Sequence, residues 1–145
     1  MDSEAPTQAL RALSQFLVSE RSIGETLLEV SRITADAVPA ADMAGITMLG
    51  EHGKPTTAVF TDPEAPEIDI AQYESGAGPC LDAWRERRVV RIDDMALDGG
   101  RYPAFAKTAA IHGVESVLSL PLVALSSGLG ALNLYARRPR CFTGD

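Results

Sequence analysis

Cys80 is the residue of this sequence best placed to do chemistry. It follows Gly76-Ala77-Gly78-Pro79, and a proline after a glycine-rich turn is typical of the first position of a helix. A cysteine at the second helical position lies near unpaired N–H groups and the positive end of the helix dipole, which favour a thiolate. Such a thiolate could sense oxidants or bind a ligand covalently. The alternative is a small apolar side chain that packs the start of the helix, and we favour it because free cysteines are usually structural.

Other reactive patterns are weaker. The two cysteines, Cys80 and Cys141, are too few for a disulfide framework, so two free thiols are expected. His52 falls in a predicted turn and His112 at a predicted helix end, without the Cys/His spacing of a zinc site. No Ser-His-Asp pattern, phosphate loop or paired-carboxylate site is evident, and Asp93-Asp94 is predicted to end a strand. We therefore expect no metal site, no catalytic residues and no enzymatic activity; the cofactor, if any, is unknown from the sequence.

The elements that would position these residues follow from hydrophobic periodicity and turn signals. Two helices are predicted first, over Thr7–Glu20 and from Ser22 to Ala37, and Pro39 stops the second. The strands are predicted at Met43–Leu49, Pro55–Thr61, Val89–Ile92, Glu115–Ala124 and Ala131–Arg137. Between the strands we predict three helical segments: a short helix or turn at Ile68–Tyr73, a helix at Pro79–Arg87, and a helix at Tyr102–His112 that Gly113 ends. The remaining connections are predicted as a turn at Glu51–Lys54, a loop at Asp62–Pro66 and a turn at Asp98–Gly100. This order predicts an α+β fold, an antiparallel sheet with helices on both faces.

Composition and charge narrow the function classes. The chain of 145 residues fits one domain, over residues 1–145, with 46% apolar and 23% charged residues. Its net charge of −7 disfavours nucleic acid and anionic membranes as partners. No apolar run approaches the roughly 18 residues of a membrane span, and the polar start lacks the layout of a signal peptide. We therefore expect a cytoplasmic location.

Four blocks of the sequence carry a family resemblance. They are Gly76-Ala77-Gly78-Pro79-Cys80, the strand Val89–Asp94, Arg101-Tyr102-Pro103-Ala104-Phe105, and Ser116–Leu122 followed by Gly130-Ala131-Leu132-Asn133-Leu134. In this order they resemble the GAF domain, a small sensory module that holds a ligand between a sheet and a covering layer of loops and helices. The resemblance implies a small-molecule or redox sensory domain.

Within that family the sequence is most similar to the GAF domains of actinobacterial regulators that carry a C-terminal ANTAR domain, a helical RNA-binding module. The resemblance implies a role in signal transduction or transcription antitermination. It also implies that the helix leading into the ANTAR part, and RNA binding itself, belong to a segment outside these residues. Sensor GAF domains commonly pair through terminal helices, so a homodimer through Thr7–Glu20 is expected.

The resemblance places a ligand pocket between the covering layer and the facing strands. Aromatic walls with a few polar groups are what small-molecule sites need, and the candidates are Phe60, Tyr73, Cys80, Trp84, Tyr102, Phe105, Ser119 and Asn133. The alternative is that the aromatic members simply fill the core. Asn133 is the most diagnostic, because it interrupts an apolar strand and its amide needs solvent, a ligand or a backbone partner.

Two other functions stay open at this point. The domain could be a ligand-free dimerisation scaffold whose aromatic residues pack solidly. It could also be an enzyme like the free methionine-R-sulfoxide reductases, which are GAF proteins with a cysteine in a similar turn. Their chemistry needs a second, resolving cysteine, because a sulfenic acid must condense with a thiol to be recycled. The corresponding region here, Ala109–Val114, contains no cysteine, which makes this activity the least favoured.

Overall fold

An antiparallel sheet forms the centre of the fold in the computed structural model, which describes residues 25, 29–30, 33–34, 38–49, 54–124 and 127–142. Within this part of the chain the sheet has five strands in the order β2-β1-β5-β4-β3. They are β1 (Met43–Leu49), β2 (Pro55–Phe60), β3 (Val90–Ile92), β4 (Ser116–Ala124) and β5 (Ser127–Ala136). The strands β2 and β3 are therefore the edges.

The helices that lie between β2 and β4 in the sequence cover one face of the sheet. They are α1 (Glu64–Ser75), α2 (Pro79–Glu86), α3 (Met95–Asp98), a short 3-10 helix (Gly99–Arg101) and α4 (Pro103–Ile111). Helix α1 packs over β1 and β2, α2 packs over β4 and β5, and α4 packs against α1. The predicted α+β sheet with helices is confirmed.

Side-chain alternation along the strands divides the core between the two faces of the sheet. On the face opposite α1 and α2, here called the aliphatic face, Ile46, Leu132 and Leu134 are buried together with Val30 and Phe142. On the face under α1, α2 and α4, here called the covered face, the buried residues are more mixed and include aromatic and polar side chains. The covered face is therefore the one that can offer hydrogen-bonding groups to a ligand.

The loop predicted at Asp62–Pro66 is wrong, because helix α1 begins at Glu64. The Asp62 carboxylate accepts a hydrogen bond from the backbone N–H of Glu64 (2.8 Å), which satisfies one free donor of the first turn. Pro66 lies in that first turn, where its missing N–H breaks no helical bond. The short helix predicted at Ile68–Tyr73 is thus the middle of a 12-residue helix.

Two further boundaries differ from the prediction. Strand β5 begins at Ser127 rather than Ala131, because the pairing with β4 extends to Ala124 opposite Ser127. The turn predicted at Asp98–Gly100 is instead the end of α3 and the start of the 3-10 helix. The Asp94 side chain caps α3 by accepting from the N–H of Ala96 (3.0 Å).

Helix α4 ends at the glycine that the sequence indicates. Gly113 has a φ of 74°, a left-handed conformation that favours glycine. The N–H of Gly113 bonds the carbonyl of Ala110 (3.0 Å) and that of Val114 bonds the carbonyl of Ala109 (2.9 Å). This pair of bonds is the Schellman motif, which satisfies the last carbonyls of the helix.

Several predictions fall outside the described residues. The helix Thr7–Glu20 does, and with it the proposed dimer contact. The helix predicted from Ser22 to Ala37 is described only at residues 25, 29–30 and 33–34, which are helical. The turn with His52 is also outside. No helix among the described residues is long and apolar enough to cross a membrane.

Candidate functional site

A buried group of polar side chains joins helices α1 and α2 to the covered face of the sheet. We call it the polar network, and its members are Thr47, Thr57, Asp69, Gln72, Tyr73, Cys80, Ser119, Asn133 and Tyr135. Four strands and both helices contribute to it. All members are buried except Thr57 and Tyr73, which are half-buried. Burying this many polar groups is favourable only if each finds a hydrogen-bond partner.

Tyr73 stands at the side of the network nearest the edge strand β2. Its hydroxyl shares hydrogen bonds with the hydroxyls of Thr47 (2.6 Å) and Thr57 (2.8 Å). Thr47 lies on β1 and Thr57 on β2, so one phenol group from α1 connects the two strands. Because Tyr73 and Thr57 are both half-buried, this side of the network is the one nearest to solvent.

Asp69 lies one helical turn before Tyr73 and is fully buried. Its carboxylate accepts hydrogen bonds from the hydroxyls of Thr57 (2.7 Å) and Tyr135. Burial raises the pKa of Asp69 from 3.8 to about 6, and the hydrogen bonds from Tyr135 and Thr57 act in the opposite direction. The network therefore contains a carboxyl group that titrates close to neutral pH.

Gln72 fixes the start of helix α2. Its side-chain carbonyl accepts the backbone N–H of Cys80 (2.9 Å), and its amide N–H donates to the Tyr135 hydroxyl (3.3 Å). This contact leaves no room for a side chain at Gly78, where an added Cβ would lie 2.0 Å from Oε1 of Gln72. The glycine-rich turn thus lets α1 and α2 approach each other closely over the sheet.

Cys80 is buried, in agreement with the structural role that we favoured. Burial, together with the negative charge of Asp69, raises the pKa of its thiol to about 12. The start of the helix does not stabilise a thiolate here, because the cost of desolvating the charge exceeds the gain from the helix dipole. The backbone N–H of Cys80 is also already bonded to the side chain of Gln72. The thiol instead accepts a weak contact from the Thr47 hydroxyl (3.7 Å).

Asn133 and Ser119 form the sheet side of the network. They lie opposite each other on β5 and β4, and the Ser119 hydroxyl donates to Oδ1 of Asn133 (3.0 Å). Nδ2 of Asn133 donates to the Thr47 hydroxyl (3.1 Å). The amide therefore finds side-chain partners, whereas the sequence suggested solvent, a ligand or the backbone.

The family model of the GAF domain matches residues 20–145 of this sequence. This chain belongs to the GAF domain family. No curated protein matches the sequence significantly.

Solved structures with the same fold come from sensors and from enzymes. A protein described as a GAF sensor from Burkholderia vietnamiensis has 18% identity and a TM-score of 0.67, over 98% of this chain and 84% of that chain. The free methionine-R-sulfoxide reductase from Neisseria meningitidis has 16% identity and a TM-score of 0.67, over 98% and 80%. A domain of a two-component sensor histidine kinase protein from Sinorhizobium meliloti has 15% identity and a TM-score of 0.64, over 83% and 76%. At these identities the likeness shows the fold alone.

The GAF domain does not bring all eight predicted ligand-binding residues together. Tyr73, Cys80, Ser119 and Asn133 meet in the polar network. Tyr102 and Phe105 belong to the adjacent buried cluster of the covered face, where the Phe105 ring lies 6.2 Å from the ring of Tyr135. Phe60 is 44% exposed at the end of β2, and Trp84 is half-buried at the surface of α2, so both lie at the periphery of this arrangement.

Sequence reasoning missed five members of the network: Thr47, Thr57, Asp69, Gln72 and Tyr135. Part of the signal was available, because Asp69, Gln72 and Tyr73 have the i, i+3, i+4 spacing that places side chains on one helical face. The threonine on β1 was a second signal, since it interrupts the apolar run Met43–Leu49. What the sequence did not indicate is that these positions face each other.

The two cysteines of this GAF domain lie on opposite faces of the sheet. Cys80 belongs to the covered face, while Cys141 packs against the core of the aliphatic face. Both are free thiols. A sulfenic acid at Cys80 would therefore have no thiol of its own chain beside it.

Proposed function

We propose that this domain is a sensory module that recognises a small molecule at the polar network and transmits its presence to an attached effector. The observation that supports the proposal is the network itself. Purely structural contacts between helices and a sheet are usually apolar, because buried polar groups stabilise a fold little even when they are paired. Convergent polar groups beside an aromatic core are instead typical of small-molecule sites.

The ligand would enter beside the edge strand β2, where Tyr73 and Thr57 are half-buried. A polar ligand can take over the hydrogen bonds that the Tyr73 hydroxyl now makes with Thr47 and Thr57. Displacing Tyr73 would loosen α1, since this side chain is one of the contacts that hold α1 on the sheet. The recognition residues in this proposal are Tyr73, Cys80, Ser119 and Asn133 from the sequence prediction, together with Thr47, Thr57 and Asp69.

A movement of α1 would reach the ends of the central strands through charged contacts. Glu64 in the first turn of α1 forms an ion pair with Arg137 and a hydrogen bond with Nδ1 of His112 (2.9 Å). Arg137 directly follows β5, and its backbone N–H donates to the carboxylate of Asp42 (2.7 Å), which directly precedes β1. Helix α1 is thus connected to the start of β1 and to the end of β5. A shift of these strand ends can change the position of the helices that adjoin them.

The proposed context is that of the sequence resemblance. The domain would act in the cytoplasm as a homodimer within a signal-transduction or transcription antitermination regulator. RNA binding would belong to an ANTAR-type segment, consistent with the net charge of −7 on this one. We propose no enzymatic activity, because Cys80 is buried, has a raised pKa and lacks a neighbouring resolving thiol.

Native mass spectrometry of the domain, purified gently from its own host or a close relative, tests the proposal. We expect the wild-type domain to carry a bound small molecule. The triple variant Tyr73→Phe, Thr57→Val and Asn133→Leu should have lost it. A folded triple variant that retains the molecule would place the site elsewhere. An apo protein, unchanged in mass and thermal stability after incubation with host metabolite extract, would contradict the sensory proposal.

A dimerisation scaffold is the second candidate, and one observation favours it. The network is satisfied internally, since its side chains already bond to one another. A scaffold would remain a dimer without any bound molecule, and the same triple variant would then lose only stability. The mass spectrum of the purified dimer separates the two candidates.

A further inference from the structure

Asp69 determines the charge that a ligand of the polar network would meet. Its carboxylate is fully buried, and both hydroxyls that donate to it, those of Thr57 and Tyr135, are neutral. The other members are threonine, tyrosine, glutamine, cysteine, serine and asparagine, which are also neutral near pH 7. Within the described part of the chain the network therefore holds one negative charge, with no cationic partner in hydrogen-bond contact.

The strands and helices that form the network place no basic side chain in hydrogen-bond contact with Asp69, and Lys107 of the neighbouring helix α4 is exposed. The strands β1, β2, β4 and β5 contain no charged residue. Helix α1 carries Glu64, Glu67 and Glu74 besides Asp69 and no basic residue. The one basic residue of α2, Arg85, is exposed and donates to the carbonyl of Gly76 (2.9 Å). Glu64 is already paired with Arg137, so the uncompensated charge at the site is that of the buried Asp69 carboxylate, which attracts cations and repels anions.

The approach to Asp69 passes the half-buried pair Tyr73 and Thr57, which separates the carboxylate from solvent. An anion that entered beside β2 would meet a like charge inside the covered face, where dielectric screening is weak. Glu74 lies away from this approach, because it lines the groove between α1 and α4 together with Lys107.

We propose that the polar network binds a small molecule through a protonated amine, with Asp69 as its counter-charge; this inference rests on the proposed sensory function. The ammonium group would donate to the Asp69 carboxylate in a charge-assisted hydrogen bond. The hydroxyls of Thr57 and Tyr73 can rotate to accept its remaining protons, because each hydroxyl is both donor and acceptor. A buried charge pair of this kind discriminates strongly against ligands that lack the charge.

Three probes that differ only in charge test the ligand class: benzylamine, benzyl alcohol and benzoate. Titration of the ¹⁵N-labelled domain at about pH 7.5 should shift the amide signals of Asp69 and Tyr73 with benzylamine. We expect benzyl alcohol to bind about tenfold or more weakly, as loss of a charge-assisted hydrogen bond implies, and benzoate to give no shifts. Equal or tighter binding of benzyl alcohol or benzoate would overturn the proposal.

Two variants and one change of pH show whether Asp69 carries the preference. Asp69→Asn should abolish the difference between benzylamine and benzyl alcohol, while Glu74→Gln, on the exposed side of the same helix, should preserve it. Wild-type protein at about pH 5 gives the same test without a substitution, since benzylamine stays protonated while Asp69 becomes neutral. The other titratable groups that face Asp69, namely Tyr73, Tyr135 and Cys80, have pKa values raised by burial and stay neutral at both pH values. An amine preference that survives in Asp69→Asn and at pH 5 would refute the assignment.

The outcome is distinguishable from failure of the sensory proposal itself. If a neutral or anionic molecule is found bound in the mass spectrum, the domain is a sensor and the amine class is wrong. If no molecule is bound there and none of the three probes shifts the network signals, both proposals fail. If benzylamine alone binds and depends on Asp69, both stand.

Discussion

Replacing Asp69 with asparagine should change how the stability of the domain depends on pH. Asparagine keeps the shape of the side chain but cannot ionise. Its Oδ1 can accept from one of the two hydroxyls, Thr57 or Tyr135, and its NH2 group donates to the other, which must then act as the acceptor. In the wild-type protein the carboxylate must be charged inside the covered face once the pH exceeds its pKa. The substitution removes this cost, so the variant should gain stability relative to wild type as the pH rises.

The sign and size follow from the raised pKa. Because the folded protein holds the proton more tightly than the unfolded chain, the contribution of Asp69 is fully present below its ordinary pKa of 3.8 and is lost as the pH rises through about 6. The difference between these two pKa values corresponds to about 3 kcal/mol of stability. This figure is an upper bound, because relaxation around the ionised carboxylate lowers the cost of burying it. The free energy of unfolding of wild type minus that of Asp69→Asn should therefore fall by about 2 to 3 kcal/mol between about pH 4 and pH 7.5.

Urea unfolding at several pH values measures this difference. All other titrating groups are shared by the two proteins, so their contributions cancel in the comparison. The pH-independent effect of the amide shifts the whole curve and leaves its slope unchanged. Glu74→Gln is the matched control: it removes an exposed carboxyl from the same helix, and its difference from wild type should stay within about 0.5 kcal/mol across the range.

A flat difference curve for Asp69→Asn would refute this reasoning. It would mean that the buried carboxylate is compensated in solution by water or by a cation that the hydrogen bonds do not reveal. A difference that rises with pH would show that the ionised form is the one stabilised by folding. In either case the charge argument for an amine ligand would lose its basis.

Two further predictions concern the start of α2 and the thiols. Gly78→Ala should lower the free energy of unfolding by about 1 to 3 kcal/mol, because the added Cβ would displace the Gln72 side chain from the N–H of Cys80. Gly100→Ala is the control and should change little, since its Cβ would meet nothing within 4 Å. Similar urea midpoints for the two variants would contradict the close approach of Gln72 to Gly78. A thiol reagent should modify Cys141 in the native protein and Cys80 only after unfolding, since burial shields Cys80 and raises its pKa. Rapid labelling of both thiols under native conditions would show that the covering layer opens readily.

Local sequence signals predicted much of the fold. The apolar run of β1, the proline that starts α2 and the glycine that ends α4 each lead to the element that the structure contains. These features depend on a few neighbouring residues, on allowed φ values and on side-chain periodicity, so they can be inferred without knowing the rest of the chain. The start of α1 was missed because Pro63 and Pro66 suggested a loop, although both occur where a helix tolerates proline.

The sequence by itself indicated a GAF fold and eight candidate ligand-binding residues, of which Tyr73, Cys80, Ser119 and Asn133 lie in the polar network. Only the tertiary structure decided that Asp69 meets Tyr135, a residue 66 positions away, and that burial rather than the helix dipole sets the state of Cys80. The physical reason is that desolvation and hydrogen bonding depend on which groups the packing of α1 and α2 against the sheet brings together. That packing is a property of the whole chain, and no local pattern specifies it.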